Sequence, residues 1–426
     1  MKNTKVTLFS LAMVAVLAAC NNTPKKVYNI TLIAPEDTSM VTSNVKQYID
    51  DMRKQEQQYQ IEGGDIYKLW DLYDKDGIDI DEGSKKDEDR VYLDTGEVNG
   101  KNQTVRNSTP DRSDKNTGVE LKFNVAEGHE QENYHVIISQ NENFENSTQY
   151  DTAENSINVP NLFANTTYYY KVVAGEEESE VGSFTTGNYV RWISARPVYN
   201  VRDLGGYMTE SGKRVKQGLV YRGGEITNRA WGEHTQTNTP ESMKVFYQTM
   251  DIGVELDLRG ASDIGDGYND YAFRPEQNRY KQHAIKSYEE TFTKTRSEVA
   301  PIFELLANAD QEHVYFHCYG GADRTGTIGF LLNGLLGVSY SDLVIDFELT
   351  SYSSINNEHI RSHIDGNQHQ YDRWPKLINQ IKTDTTGGYA YDENALLKDN
   401  LYNFLNKACS VPEETLNKIR QIMLED

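Results

Sequence analysis

His317-Cys318-Tyr319-Gly320-Gly321-Ala322-Asp323-Arg324-Thr325-Gly326 is the segment from which the fold of this chain can be worked out. Its cysteine stands six positions before an arginine, and mostly small residues separate the two. Residues 314–316 predict a short buried strand, whereas residues 325–336, rich in Ile, Phe and Leu, predict a buried helix. A tight loop between a strand and a helix turns backbone N–H groups over the helix N-terminus, where they favour an oxyanion. The sequence therefore predicts a phosphate cradle.

The side chains of this loop suit attack on phosphorus. A free cysteine has a pKa of about 8.5, which a helix N-terminus and a cation lower, so Cys318 is expected to be a thiolate nucleophile. Arg324 can hold two phosphoryl oxygens with its planar fork, and Thr325 can donate its hydroxyl to the sulfur. Glycine permits backbone angles that a Cβ forbids. The predicted phosphate-binding residues are Tyr319, Gly320, Gly321, Ala322 and Thr325. The alternative, an ordinary buried cysteine, requires all these features to coincide.

The loop resembles that of the cysteine-dependent tyrosine phosphatase superfamily, in particular the bacterial tyrosine/serine branch with its H-C-x-x-G-x-D-R-T-G pattern. Similar blocks of that branch occur upstream in the same order, at residues 200–207, 218–222 and 256–259. The resemblance covers residues 190–425 and implies an α/β domain with a central sheet flanked by helices. It also implies phosphate monoester hydrolysis through a phosphocysteine intermediate on Cys318. Arg202, Asp203 and Arg259 are expected to shape the site, with Arg259 paired to a carboxylate.

The substrate implied by the resemblance is a phosphorylated protein, most simply phosphotyrosine. Many relatives carry lysine where this chain has Ala322, so a preference for highly phosphorylated inositides is less expected. A phosphoinositide, an inositol phosphate or a small sugar phosphate remains an alternative substrate, and pocket depth would discriminate. From a different class, a non-catalytic phosphate-binding module would be favoured by loss of the cysteine or the arginine, and both are present.

The general acid has several candidates. By resemblance Asp323 protonates the leaving group, and the alternative is that it only accepts loop N–H groups. Asp263 and Asp266, in a flexible acidic turn after the predicted strand at 256–259, are further candidates. No metal or other cofactor is expected, because Arg324 and the loop amides can neutralise the phosphoryl charge.

The N-terminus predicts export. Lys2 and Lys5 precede an apolar stretch over residues 6–19 that is too short to span a membrane. Leu17-Ala18-Ala19-Cys20 resembles the bacterial lipobox, which implies cleavage before Cys20 and its acylation, whereas a cleaved signal with a soluble product is the alternative. Asparagine rather than aspartate follows Cys20. We therefore expect a lipid-anchored protein of the bacterial cell envelope, on the outer membrane and facing the periplasm.

Length and charge limit the architecture and the partners. The chain has 426 residues and a net charge of −22, which argues against nucleic acid and anionic lipid as partners and requires the cradle to be a local positive region. Cys409 is expected to be a small core residue. The predicted organisation is a signal peptide over 1–19, an acidic segment over 20–115, a β-sandwich over 116–187 and the catalytic domain over 188–426. The acidic segment is assigned no fold beyond a short polar helix at 44–59.

The β-sandwich is predicted from strands that alternate with a period of two, at residues 118–125, 134–138 and 168–172. Leu162, Thr166 and Tyr168 fall where a fibronectin type III-like module has its tyrosine corner. This domain contributes no residue to the proposed chemistry.

Overall fold

A computed structural model describes residues 26–61, 95–98, 101–104, 116–129, 132–226, 243–264, 279–353 and 373–425. The predicted signal peptide over 1–19, Cys20 and Asp266 lie outside these residues, as does much of the acidic segment. Within the described ranges, no helix is both long and apolar enough to cross a membrane.

The N-terminal half is built mainly from antiparallel strands. Its elements are β1 (Thr31–Ile33), α1 (Ser43–Ile61), β2 (Thr95–Val98), β3 (Lys101–Thr104), β4 (Val119–Asn124), β5 (Tyr134–Ser139), β6 (Thr148–Thr152), β7 (Ser156–Val159), β8 (Thr167–Ala174), β9 (Glu177–Glu178) and β10 (Gly182–Thr185). One sheet has the strand order β1-β4-β7, a second has the order β10-β8-β5-β6 with β9 on β8, and β2 pairs with β3. The two larger sheets share one hydrophobic cluster.

The predicted alternation is present in these strands. In β4, Val119, Leu121 and Phe123 are buried and the residues between them are more exposed, as one buried sheet face requires. The hydroxyl of Tyr168 accepts the N–H of Phe163 at 3.0 Å, at the position of the predicted tyrosine corner. The fibronectin type III-like assignment itself stays a prediction.

The first sheet also draws on a segment whose structure the sequence left open. β1 pairs antiparallel with β4, with Leu32 opposite Phe123. Because β1 lies before residue 116, the first sheet includes a strand from outside the predicted boundaries of the sandwich.

α1 packs against the C-terminal domain. The sequence predicts a short polar helix here, but Val45, Ile49 and Met52 are buried in the same cluster as the catalytic core. Their spacing of three and four residues puts them on one helix face. The next residue, Arg53, extends its Nε to 2.9 Å from the buried Asp342 carboxylate. The predicted helix at 44–59 is thus present and extends over Ser43–Ile61, but it is amphipathic, with one buried face on an otherwise polar helix.

The C-terminal part is an α/β arrangement, as predicted. Its elements are β11 (Arg202–Asp203), β12 (Val220–Gly223), β13 (Ile252–Asp257), α2 (Ala261–Ile264), β14 (Tyr280–Gln282), α3 (Glu289–Lys294), α4 (Val299–Leu306), β15 (His313–His317), α5 (Asp323–Leu336), α6 (Tyr340–Glu348), α7 (Arg373–Thr383), α8 (Leu397–Asn403) and α9 (Glu413–Met423). The sheet has the order β11-β12-β15-β13-β14, and only the pairing of β11 with β12 is antiparallel.

Both faces of this sheet are covered. In β15, Val314 and Phe316 join the large cluster that includes α4 and α5, whereas Tyr315 points to a second cluster with Phe246. The near-continuous burial of β15 follows from this two-sided cover. The buried strand predicted over 314–316 is confirmed.

The carboxyl ends of the central strands lie side by side. His317, at the end of β15, is opposite Gly223 of β12 and Asp257 of β13. In open α/β sheets this edge is where ligands bind. The quoted loop follows β15 at this edge and leads directly into α5.

From Thr325 onward α5 is buried on all sides, which explains why its apolar residues are not confined to one face. The helix predicted over 325–336 is confirmed and begins two residues earlier, at Asp323. Gly337 ends it in the left-handed conformation, with φ 83°.

Candidate active site

The carbonyl groups of the loop after β15 are turned outward. The Tyr319 carbonyl accepts the N–H of Glu225 at 2.8 Å. The amide of the buried Asn200 donates to the carbonyls of Gly320 at 3.0 Å and Gly321 at 3.2 Å. All three acceptors therefore point toward the flanking segments after β12 and before β11.

This orientation fixes the N–H groups of the loop. A trans peptide is planar, so its C=O and N–H point in opposite directions. The outward carbonyls of residues 319–321 accordingly direct the N–H groups of Gly320, Gly321 and Ala322 to the inner side of the loop. The Cys318 carbonyl lies 3.0 Å from His317 Nδ1 and turns the N–H of Tyr319 in the same way. The result is a cradle of backbone donors at the N-terminus of α5.

Gly321 shows why glycine is needed in this cradle. Its φ is 66°, in the left-handed region that residues with a side chain rarely adopt. A Cβ here would lie 2.3 Å from the backbone carbon of Gly223 at the end of β12. The loop can therefore pack against β12 only with glycine at this position.

A buried charge network lies behind the cradle. Arg222 Nη2 donates to the Gly321 carbonyl at 2.7 Å, and its Nη1 pairs with Asp346 of α6. Arg202 Nε lies 2.8 Å from the same carboxylate and its Nη1 donates to the Asn200 side chain. Burial favours the protonated carboxyl group, but the two guanidinium groups outweigh it and hold the pKa of Asp346 below its usual value. Two guanidinium groups thus face the single carboxylate of Asp346 behind the cradle.

Cys318 lies at the base of the cradle and is only 3% exposed. Burial alone raises its pKa, and Asp323 acts in the same direction. The Arg324 charge, together with the hydroxyl and N–H of Thr325, outweighs both, so the pKa of Cys318 lies below its ordinary value. The Thr325 hydroxyl is buried and makes no geometrically complete hydrogen bond within the described part of the chain.

Arg324 contacts the segment that follows β13. Its Nη1 lies 2.5 Å from Asp263 Oδ2, and the hydroxyl of Tyr319 donates to the Asp263 backbone carbonyl. The Tyr319 ring also has cation–π contacts with Arg324, at 5.8 Å, and with Arg259, at 5.3 Å. Burial raises the pKa of Asp263, but Arg324 holds it below its usual value. Asp263 is therefore a carboxylate beside the cradle.

Asp323, the first residue of α5, accepts a hydrogen bond from a buried tyrosine. Tyr288 Oη lies 2.6 Å from Asp323 Oδ1. Tyr288 belongs to the segment between β14 and α3, and nothing in its sequence context marked it as part of the site. Of the two remaining acid candidates, Asp263 lies against Arg324 and Asp266 falls outside the described residues.

His317, immediately before the nucleophile, is fully buried between two acidic residues. Its Nε2 lies 2.9 Å from Glu255 Oε1. Burial lowers the pKa of His317, but Asp257 and Glu255 outweigh it and raise the pKa above its ordinary value. The imidazolium can then donate from both ring nitrogens, to Glu255 and to the Cys318 carbonyl.

Several structural roles expected from the sequence are present. Arg259 pairs with Asp257 at 2.8 Å and with Glu225. Asp203 pairs with Arg191 at 2.8 Å. Asp203 also accepts the N–H groups of two glycines, so it holds the turn that follows β11. Within the described ranges, no group of three or more His, Cys, Asp or Glu side chains is placed to hold a metal ion.

The sequence did not single out Asn200, Arg222 and Tyr288 as site residues. Asn200 and Arg222 could have been found, because they lie inside the blocks at 200–207 and 218–222 on which the resemblance rests. Tyr288 carries no such signal, since only the folded chain brings it to Asp323.

The family can be assigned at this point. A model of the tyrosine phosphatase family matches residues 193–425, more than half of the chain. The chain therefore belongs to the tyrosine phosphatase family, and phosphate ester hydrolysis is the activity that this membership supports.

No curated protein matches the chain. Among solved structures, it is similar to the core catalytic domain of the PP-IP phosphatase SIW14 from S. cerevisiae, determined in complex with citrate. That match covers 40% of this chain and 88% of the other at 12% identity, with a TM-score of 0.25. A similarity this weak carries no argument about the substrate of this protein.

Proposed function

We propose that this protein hydrolyses phosphate monoesters through a phosphocysteine intermediate on Cys318. The observation that carries the proposal is the cradle itself: a buried thiol of lowered pKa begins a loop whose carbonyls are turned outward and which leads directly into a helix N-terminus. Arg324 is the residue proposed to bind two phosphoryl oxygens and to stabilise the charge of the transition state.

The reaction has two displacements. In the first, the Cys318 thiolate attacks phosphorus, the bond from phosphorus to the ester oxygen breaks, and an acid gives its proton to the departing alcohol. In the second, water attacks phosphorus, the S–P bond breaks, and the same group takes a proton from the water. The thiolate is regenerated, and its bond to phosphorus is broken more readily because the Thr325 hydroxyl stabilises the sulfur anion.

We propose Asp323 as the acid. It is the first residue of the helix that follows the cradle and directly precedes Arg324, and its carboxylate interacts electrostatically with Cys318. Asp263 is instead paired with Arg324, the residue proposed to bind the phosphoryl oxygens, and this pairing holds its pKa below the usual value. Asp266 stays a candidate from the sequence alone.

A phosphotyrosine side chain is the substrate we propose. The Asp263 carboxylate stands beside the cradle, and the loop has Ala322 where a lysine would add a cation. Both features disfavour a ligand that carries further phosphates next to the reacting one, because like charges repel at short range. Inositol phosphates, phosphoinositides and sugar phosphates are the alternatives.

A substrate panel tests these proposals. Purified residues 21–426 under reducing conditions should release phosphate from phosphotyrosine peptides faster than from phosphoserine peptides or inositol phosphates. Cys318→Ser should lose turnover but still bind substrate, because serine is not ionised at neutral pH. Vanadate should inhibit the wild type and EDTA should not. Activity lost with EDTA and restored by a divalent ion would contradict the thiolate mechanism, and wild-type binding without turnover would favour a binding module.

We also propose that the protein is anchored through acylated Cys20 on the periplasmic side of the outer membrane. The support is the lipobox-like sequence before Cys20. Cys20→Ala should leave the protein unprocessed or soluble, and detergent-phase partition measures this. A mutant that partitions like the wild type would remove the assignment.

A further inference from the structure

Tyr288 and Thr327 form a closed set of hydrogen bonds around Asp323. Tyr288 Oη donates to Asp323 Oδ1 at 2.6 Å, and the Tyr288 backbone N–H donates to Thr327 Oγ1 at 2.9 Å. The Thr327 hydroxyl in turn donates to the Asp323 backbone carbonyl at 3.0 Å. The side chain and the backbone of Asp323 are thus both tied to one residue of the facing segment.

The backbone of Tyr288 is held in an unusual conformation for this contact. Its φ is 54° and its ψ is −129°, a strained region that a residue with a side chain rarely adopts. The surroundings fix it there. The side chain is 2% exposed, and the ring packs edge-on against Phe347 of α6 with centroids 6.3 Å apart. The fold therefore maintains a strained residue whose hydroxyl reaches the proposed acid.

We propose that Tyr288 is the positioning residue for the general acid Asp323, which it orients and whose carboxylate it stabilises. This inference rests on the proposed function, in which Asp323 is the acid. With Oδ1 held by the phenol, the transferable proton is carried on Oδ2. The proton passes from Oδ2 to the ester oxygen as the S–P bond forms and the P–O bond breaks. The negative charge left on the carboxylate is then met by the Tyr288 O–H.

The contact is strong enough to matter for the chemistry. At 2.6 Å it lies in the range of O–H···O⁻ bonds, which are about twice as strong as neutral ones. Among the described residues, Cys318 and Arg324 also interact electrostatically with Asp323. Neither fixes the direction of its oxygens in the way a phenol hydrogen bond does.

The test compares Tyr288→Phe, Asp323→Asn and the double mutant on aryl phosphates of graded leaving-group acidity. Asp323→Asn should slow substrates with poor leaving groups by about 10²–10⁴ and acidic leaving groups far less. Tyr288→Phe should show the same dependence on leaving group but a smaller loss, about 10- to 100-fold in kcat, the worth of one hydrogen bond to a charged group. KM should stay unchanged, because Tyr288 does not touch the phosphate.

The pH profile and the double mutant separate positioning from a structural role. Loss of the phenol should move the basic limb of the kcat profile to higher pH, because a carboxylate with one donor fewer binds its proton more tightly. In the Asp323→Asn background, Tyr288→Phe should add no further loss. Tyr170→Phe, which removes a buried hydroxyl from the N-terminal sheets, is the matched control and should leave kinetics unchanged.

The outcomes are distinguishable. If Asp323→Asn depends on leaving group and Tyr288→Phe slows all esters equally or not at all, the positioning inference is overturned while the acid assignment stands. If Asp323→Asn itself shows a uniform loss, Asp323 is not the acid and both fall. A cooperative thermal unfolding transition in each variant verifies that the domain has folded.

Discussion

Asp263 Oδ2 lies 2.5 Å from Arg324 Nη1, so a carboxylate occupies part of the guanidinium fork that we propose to hold the substrate phosphate. The Tyr319 hydroxyl fixes the backbone of the same residue. Phosphate entering the cradle must therefore compete with Asp263 for Arg324. The pair is partly solvated, because 37% of the Asp263 side chain is exposed. Its strength is accordingly that of a surface ion pair rather than a buried one.

Asp263→Asn should bind phosphate better. Exposed ion pairs are worth about 0.2–1 kcal/mol, which corresponds to a fall of roughly 1.5- to 5-fold in KM and in the inhibition constant of inorganic phosphate. The effect should shrink with added salt. Asp310→Asn, with the same change of charge on an exposed loop, is the control. A loss of kcat that is larger for poor leaving groups would instead identify Asp263 as the acid.

The strand, the loop and the helix around Cys318 could be predicted because their signals are local. Residue spacing gives the cradle, and unbroken apolar runs give β15 and α5. The partners of the cradle are not local: Asn200, Arg222 and Asp346 meet there only because β12 and β15 are neighbours and α6 follows α5. The segments that contain these residues could be recognised in the sequence, but the contacts between them could not be predicted from it.

Other features were missed because the sequence signal is weak or misleading. α1 has charged and amide side chains around most of its circumference. Its overall composition therefore indicates a polar helix and conceals the narrow apolar face that is buried. The contact of Tyr288 with Asp323 depends on a positive φ at a bulky residue, which no local preference predicts. The buried face of α1 and the contact of Tyr288 with Asp323 both follow from where these residues lie in the fold rather than from residue type.

Cys318 should be the reactive thiol of the described chain. Its pKa is lowered, whereas burial raises the pKa of Cys409 to about 12. Iodoacetamide should therefore label Cys318 with a pH midpoint below about 8.5 and lose reactivity only as the pH falls through the lowered pKa. Cys318→Ser should take up almost no label at pH 7.

Thr325→Val tests the cause of this shift. Removing the hydroxyl that helps to lower the pKa of the thiol should raise the alkylation midpoint by about 1–2 units, since a hydrogen bond to a charged group is worth roughly 1.5–3 kcal/mol. Thr293→Val, on an exposed part of α3, is the control. An unchanged midpoint in Thr325→Val would mean that Arg324 and the loop amides alone stabilise the thiolate.

Met52→Ala should destabilise the catalytic domain although it lies outside the predicted boundaries 188–426. Met52 is fully buried in the core that α1 shares with that domain. A cavity at such a site costs about 2–5 kcal/mol of the free energy of unfolding. Urea denaturation followed by residual phosphatase activity measures it. Leu396→Ala, at a side chain that is 47% exposed, should cost less than about 0.5 kcal/mol.

The same packing bears on truncation. A fragment of residues 188–426 contains every proposed catalytic residue, so it should keep the chemical step. Without α1, however, it exposes the apolar surface that covers Val45, Ile49 and Met52, and it should be less stable than residues 26–426. Equal stability of the two would show that α1 contributes nothing to the domain.

Glu255→Gln should lower the free energy of unfolding more at pH 6 than at pH 9. The pKa of His317 is raised in the folded protein, and the unfolded value is about 6.5. A raised folded-state pKa gives stabilisation that is complete below pH 6.5 and disappears as the pH rises through the folded-state value. Breaking the buried pair should cost about 3–5 kcal/mol at pH 6, and less at pH 9. Urea denaturation at both pH values measures the difference.

Glu298→Gln supplies the matched control, because Glu298 and His283 form a comparable but solvent-accessible pair at 3.0 Å, worth less than about 1 kcal/mol at either pH. A cost for Glu255→Gln that is the same at pH 6 and pH 9 would contradict the assignment of a charged His317.

The proton on His317 has a second effect. In the imidazolium, Nδ1 donates to the Cys318 carbonyl and so keeps the N–H of Tyr319 directed into the cradle. Loss of the Nδ1 proton at alkaline pH, where ionised Glu255 keeps the remaining proton on Nε2, should therefore weaken vanadate binding even where the protein remains folded.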